Sequence, residues 1–198
     1  LGLTNYYCVI SQPNLGCEVK SNLSEVNIVA APKITTQPKS SSVCEGKIPT
    51  TLSVAYANGA GTPTYQWFSN TIDSNSGGNL LSEATTDTYI PQSVTVGTIY
   101  YYCEITFSSG GCNLITSNTA EVIINQIPVI TNQKIVACSS DPINFIPQVG
   151  NGNSVPSNTL YTWTVKNTNP VGSITGATSE SNPKKGLNQT LINTTTNV

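Results

Sequence analysis

Apolar and polar residues alternate in short runs along most of this chain. Residues 6–10, 51–56, 64–68, 99–106, 120–124 and 160–165 are rich in Val, Ile, Thr, Tyr, Phe or Trp. A period of two fits half-buried strands. Between the runs stand turn clusters such as Asn58-Gly59, Ser76-Gly77-Gly78-Asn79 and Ser108-Ser109-Gly110-Gly111. Apolar residues at helical spacing are nearly missing. The pattern predicts an all-β chain of antiparallel β-sandwiches.

The chain also repeats itself. Tyr6-Tyr7-Cys8 returns 95 residues on as Tyr101-Tyr102-Cys103, and Cys17 returns as Cys112. Ser21-Asn22, Glu25-Val26 and Pro32 return 96 residues on as Ser117-Asn118, Glu121-Val122 and Pro128. A forward echo links Val43-Cys44 and Tyr65-x-Trp67 with Ala137-Cys138 and Tyr161-x-Trp163. This period is too long for a solenoid and suits a string of small sandwiches. It divides the chain into the C-terminal part of one domain (1–31), a complete domain (32–127) and the N-terminal part of a third (128–198). Ala30-Ala31-Pro32 and Gln126-Ile127-Pro128 are the joints. Proline makes each extended and fairly stiff, so the expected arrangement is beads on a rod.

The complete domain reads strand by strand. Residues 34–38 are strand A, broken at Pro38, and residues 41–44 the A′ segment. Leu52 and Val54 point inward on strand B. Trp67 lies on C, residues 87–90 form E, Gly97 leads into F, and G runs from Cys112 to Ile124. The spacing resembles the immunoglobulin fold. Trp67 would be its core tryptophan and Tyr101, two residues before Cys103, its tyrosine-corner candidate. Val54 stands where the B-strand cysteine of that fold belongs. Burial around Trp67, Val54 and Tyr101 is therefore expected to hold the core in place of the usual inter-sheet disulfide, with Trp163 the equivalent in the third domain.

Composition narrows the chemistry. Only 9% of residues are charged and the net charge is −2, against about 25% charged in an ordinary soluble domain. Eight scattered Lys and Arg give no basic patch, which argues against nucleic acid. No apolar run approaches the length of a membrane span. Histidine is absent. That removes the commonest general base and metal ligand, and excludes a Ser-His-Asp triad from these residues. The acids Asp73, Glu83, Asp87, Glu104 and Glu121 are scattered. Asp73-Ser74-Asn75 is the nearest approach to a calcium loop and lacks further acids. No catalytic residue, metal site or cofactor is expected.

Six cysteines in a loop-rich β chain point to an oxidising compartment. Three pairings are open in the complete domain: Cys44 with Cys112, Cys103 with Cys112 (repeated by Cys8 with Cys17), and Cys44 with Cys103. The first is favoured, because a regular F–G register places Cys103 opposite about Thr116. Cys103 would then be a buried free thiol. Tyr100-Tyr101-Tyr102 alternates across strand F. Tyr101 takes the core side, which leaves Tyr100 and Tyr102 as a candidate binding face.

Taken together, Gln37-Pro38, Val43-Cys44-Glu45-Gly46, Thr64-Tyr65-Gln66-Trp67, Thr88-Tyr89-Ile90-Pro91 and Thr116-Ser117-Asn118 resemble the immunoglobulin-like repeats of bacterial surface proteins. Val136-Ala137-Cys138 with Tyr161-Thr162-Trp163 resembles the polycystic-kidney-disease-like modules found beside them. The mixture is similar to the giant gliding adhesins of Bacteroidota. The resemblance implies tandem immunoglobulin-like β-sandwiches in a long extracellular cell-surface protein, exported by type IX secretion. Its expected partners are neighbouring repeats of the same chain. Secretion and gliding machinery would act through regions outside these residues. The first functional expectation is a stalk segment. The alternatives are a module that binds polysaccharide or a solid surface, and an accessory β-domain of a secreted enzyme.

Overall fold

Side chains that alternate cannot share one face of a helix, and every regular element among the described residues is a strand. The computed structural model describes residues 2–12, 14–109 and 113–195. By contact the chain divides into two compact units, Leu1–Asn125 and Gln126–Val198, where the repeat suggests three domains.

The first unit opens with two nested strand pairs. β1 (Gly2–Tyr6) runs antiparallel to β4 (Ser24–Ile28), with Gly2 opposite Ile28 and Tyr6 opposite Ser24. β2 (Val9–Ser11) pairs β3 (Glu18–Lys20), with Val9 opposite Lys20. Among the described residues these strands pair only with one another, and all their residues are exposed.

The rest of the unit has a true core. Its strands are β5 (Lys33–Thr36), β6 (Ser41–Cys44), β7 (Leu52–Ser53), β8 (Ala55–Ala57), β9 (Ala60–Asn70), β10 (Asn79–Leu80), β11 (Thr88–Tyr89), β12 (Gly97–Ser109), β13 (Leu114–Thr116) and β14 (Ala120–Asn125). One sheet has the order β10-β9-β12-β14-β6, and β13 also pairs β12. β14 and β6 are parallel, and the other neighbours in this sheet are antiparallel. The pairs β5–β8 and β7–β11 supply the facing layer. Leu52, Val54, Trp67, Tyr101, Cys103, Ile105, Phe107, Ala120, Val122 and Ile124 are buried in one cluster.

The long strand β12 sets this core, because its odd-numbered side chains from Tyr101 to Phe107 all point inward. Trp67 lies opposite Cys103 and stacks on Tyr89, whose ring meets Tyr101 at 5.7 Å. The indole Nε1 donates to the Thr86 carbonyl at 2.9 Å, which satisfies its polar handle. At the far end Phe107 packs edge-on against Tyr56, 5.0 Å between centroids. Glycine is required beside it: a Cβ on Gly59 would stand 1.9 Å from the Phe107 ring.

Three strand expectations shift. Strands A and E are shorter than read, at β5 and β11. The strand read as continuous from Cys112 to Ile124 is two strands, broken at residues 117–119. The break follows from Ser117. Its hydroxyl accepts from Cys103 N at 2.9 Å and donates to the Asn118 carbonyl at 2.8 Å. Cys103 therefore lies opposite Ser117, one residue beyond the expected Thr116, since Ser117 N donates to the Cys103 carbonyl at 2.9 Å.

The second unit, taken by itself, holds β15 (Pro142–Phe145), β16 (Tyr161–Trp163), β17 (Ile174–Thr175), β18 (Glu180–Lys184), β19 (Leu187–Thr190) and β20 (Ile192–Asn193). They pair as β15–β19, β16–β18 and β17–β20. Trp163 is half-buried, and its Nε1 donates to the Thr178 carbonyl at 2.9 Å, as Trp67 does to Thr86. No helix among the described residues is long and apolar enough to cross a membrane.

Trp67 is fully buried. Trp67→Ala is therefore expected to cost about 3–5 kcal/mol through lost burial and a residual cavity. Urea unfolding followed by circular dichroism measures it, and a loss below about 1 kcal/mol would contradict a core centred on this ring.

Candidate functional site

The candidate binding face is the side of the β9–β12–β14 layer that points away from the core. Alternation on β12 brings Tyr100 and Tyr102 to it, beside Asn70 and Phe68 of β9 and Glu121 of β14. The two tyrosines have different fates there.

Tyr102 is not on a binding face. It is 1% exposed. Its ring stacks on Phe68 at 5.1 Å and 9°, and its hydroxyl accepts from Gly78 N at 3.1 Å. The cover is the loop of residues 71–78, which folds back over the sheet. Asn70 Nδ2 donates to the carbonyls of Ser74 (3.2 Å) and Ser76 (3.3 Å). Asn75 Nδ2 donates to the Ser117 carbonyl at 3.0 Å, and Thr119 Oγ1 donates to Asp73 Oδ1. Gly78 is needed at the contact, because a Cβ there would stand 2.7 Å from the Ser69 carbonyl oxygen. The Asp73-Ser74-Asn75 cluster thus has a structural use: it ties this loop to the strand break at 117–119.

Tyr100 stays half-exposed. Its hydroxyl donates to Glu121 Oε1 at 3.2 Å. Desolvation, then the Glu121 hydrogen bond, then the charges of Glu121 and Asp73 raise its ionisation above the ordinary tyrosine value. What remains of the predicted face is one tyrosine beside two acids and Asn70. Glu83, Asp87 and Glu104 do not join them, and no cluster of three metal-ligating side chains occurs among the described residues.

Cys103 is a buried free thiol, as the favoured pairing expects. Cys8, Cys17, Cys44, Cys103 and Cys138 are free thiols. Cys112, the partner in two of the expected pairings, lies outside the described residues. Cys8 and Cys17 are kept apart by register. Cys8 faces Ser21, whose N donates to the Cys8 carbonyl at 2.8 Å, while the Cys17 carbonyl accepts from Gln12 N at 3.0 Å. Four residues of strand separate Cys8 from Gln12, roughly 13 Å, and a disulfide needs Cα atoms within about 7 Å. Cys44 and Cys103 are also unpaired. Cys44 is exposed at the end of β6, opposite Asn125, while Cys103 is buried at the middle of β12.

Val54, Trp67 and Tyr101 lie in the one buried cluster. Tyr101 takes its place there as a core ring, 5.7 Å from Tyr89. Burial, with Tyr89 next, raises its pKa to about 12. Burial likewise pushes the Cys103 thiol up to about 12, opposed by a hydrogen bond from the Gln66 backbone.

The pattern that sequence reasoning missed is the serine clamp, and the repeat carried its signal. Cys8 N donates to Ser21 Oγ at 2.9 Å, and Ser21 Oγ donates to the Asn22 carbonyl at 2.8 Å. These are the Cys103–Ser117–Asn118 bonds over again, with the same lengths. The recurring Cys and Ser-Asn therefore mark a strand break.

Residues 33–126 match the model of a family described as Domain of unknown function (DUF8696). No curated protein matches the chain.

Two measurements check this geometry. Folding holds the Tyr101 and Cys103 ionisations above their ordinary values of 10.0 and 9.0. Their contribution to stability is thus complete below about pH 9 and is lost as pH rises towards 12. Urea midpoints should fall over that window, and at pH 8 a thiol reagent should modify Cys8, Cys44 and Cys138 rapidly but Cys103 only on unfolding. A flat midpoint with a reactive Cys103 would place both groups in solvent. Tyr102→Ala should destabilise by about 3 kcal/mol, as for other buried aromatic truncations. Tyr100→Ala should change stability by less than about 1 kcal/mol. Equal losses in chemical denaturation would contradict the loop cover.

Proposed function

We propose that the chain is a stalk segment of a long secreted cell-surface adhesin, built from tandem immunoglobulin-like sandwiches. The observation that carries this reading is the repeat itself. Residues 2–28 adopt the strand pairing of residues 97–124, partner for partner, which is how serial copies of one domain behave. The sheet order of residues 33–125, with β6 parallel to β14 and Trp67 at the centre, supports an immunoglobulin-like topology.

In this reading the segment is not an enzyme, needs no cofactor, and supplies length between a cell surface and a remote adhesive part. Its partners are the neighbouring repeats. Few charges suit that task, because the surface offers little for ions or charged ligands to grip. The extracellular placement, gliding use and type IX export follow from the resemblance to Bacteroidota surface repeats.

A second reading has one observation in its favour. Tyr100 is half-exposed beside Asn70, Glu121 and Asp73, a tyrosine with polar neighbours such as a sugar ring accepts. Retention of beads coated with the chain on glass, agarose and polysaccharide films separates the two. The stalk reading expects no more retention than beads carrying an unrelated β-sandwich. Retention that is lost in a folded Tyr100→Ala variant would overturn it in favour of a binding module.

A further inference from the structure

Residues 2–28 reproduce part of the complete domain without its cover. Tyr6, Ile10, Val26 and Ile28 occupy the register positions of Tyr101, Ile105, Val122 and Ile124. The second set is 4%, 0%, 1% and 3% exposed, and the first 59%, 61%, 41% and 58%. In the complete domain the cover comes from Leu52, Val54 and Trp67, and β9 takes the outer edge of β12 with Trp67 opposite Cys103. Among the described residues no strand occupies the equivalent edge of β1 or β2. An apolar sheet face with a free edge is a template for a further strand.

We infer that residues 2–28 are the closing hairpin of another sandwich, and that a preceding segment of the same polypeptide, with the chemistry of residues 33–91, completes it. That segment lays a Tyr-x-Trp strand antiparallel along β1 and β2, with its tryptophan opposite Cys8. The inference rests on the tandem-repeat part of the stalk reading and not on adhesion.

A second copy of this chain fits the face less well. Its β9 is paired on both edges, with Trp67 fully buried, so it has no such strand to give. Its β16 carries Trp163 and pairs only β18, but has three residues against the eleven of β9. It is too short to cover the row from Tyr6 to Ile10. A tandem neighbour has the right strand at the right distance: Trp67 precedes Cys103 by 36 residues in the complete domain.

The test is a chain with an added copy of residues 33–96 joined to Gly2, which recreates the natural Val96-Gly97 junction. Cys8 modification by a thiol reagent at pH 8 is the readout, with Cys44 as the exposed reference. The expected result is a rate about 100-fold below that of the unextended chain, as for a thiol that reacts only when its domain opens. A Trp67→Ala change in the added copy alone should abolish that protection. An unchanged Cys8 rate while Cys103 stays protected overturns the inference. So does concentration-dependent protection of Cys8 in the unextended chain, which would make a second copy the occupant. Should the extended chain not fold, the upstream coding sequence decides: a Tyr-x-Trp about 36 residues before Cys8 upholds the inference, and its absence overturns it. Bead retention moves independently of all these outcomes, so failure of the adhesion reading is distinguishable.

Discussion

The register between β9 and β12 is the constraint on which the complete domain depends. Side chains on a strand alternate, so a slip of one residue would turn Trp67 from the core to the solvent face. The same slip would turn Thr64, Gln66 and Phe68 inward in its place, leaving Tyr101, Cys103, Ile105 and Phe107 facing polar groups instead of the indole. Among the described residues this is the longest ladder in the unit, from Tyr100 opposite Asn70 to Ser109 opposite Ala60. The short facing strands, β7 and β11, then need only supply Leu52 and Tyr89 to close the layer over the indole.

That long register also explains why the outer face is poor in binding features. The loop after β9 needs an anchor, and it finds one in the kink of the strand next to β12. Asn75 reaches the Ser117 carbonyl and Asp73 takes the Thr119 hydroxyl. Once closed, the loop covers Tyr102 and leaves Tyr100 at its margin. Polar residues that look available for a ligand are spent on holding the protein's own chain.

Much of this was legible in the sequence. Alternation marks β9 and β12 and turns Leu52 and Val54 inward, while the immunoglobulin-like spacing marks β6 and puts Trp67 at the core. What escaped has a common cause. The fate of Tyr102, the break at Ser117 and the separation of Cys8 from Cys17 all depend on contacts between segments far apart in the chain. A spacing of nine residues between cysteines says nothing of the register that sets them on different rungs of the hairpin. The repeat did hold the missing information, since Ser-Asn recurs wherever the clamp recurs. Reading it required knowing that a hydroxyl can replace a rung of the ladder.

The parallel pairing of β6 with β14 bears on how the domain meets mechanical load. The chain enters β6 at Ser41 and leaves β14 at Asn125, so tension on the two ends drags parallel strands past each other lengthwise. In that geometry the hydrogen bonds between them are strained together, not opened one after another like a zipper. Further hydrogen bonds reinforce the seam: Ser40 Oγ accepts from Glu121 N at 2.9 Å, Asn125 Nδ2 donates to Ser42 Oγ at 2.7 Å, and the Asn125 backbone carbonyl accepts from Glu45 N at 2.8 Å. A tug along the polypeptide therefore meets its main resistance at this edge before it reaches Trp67.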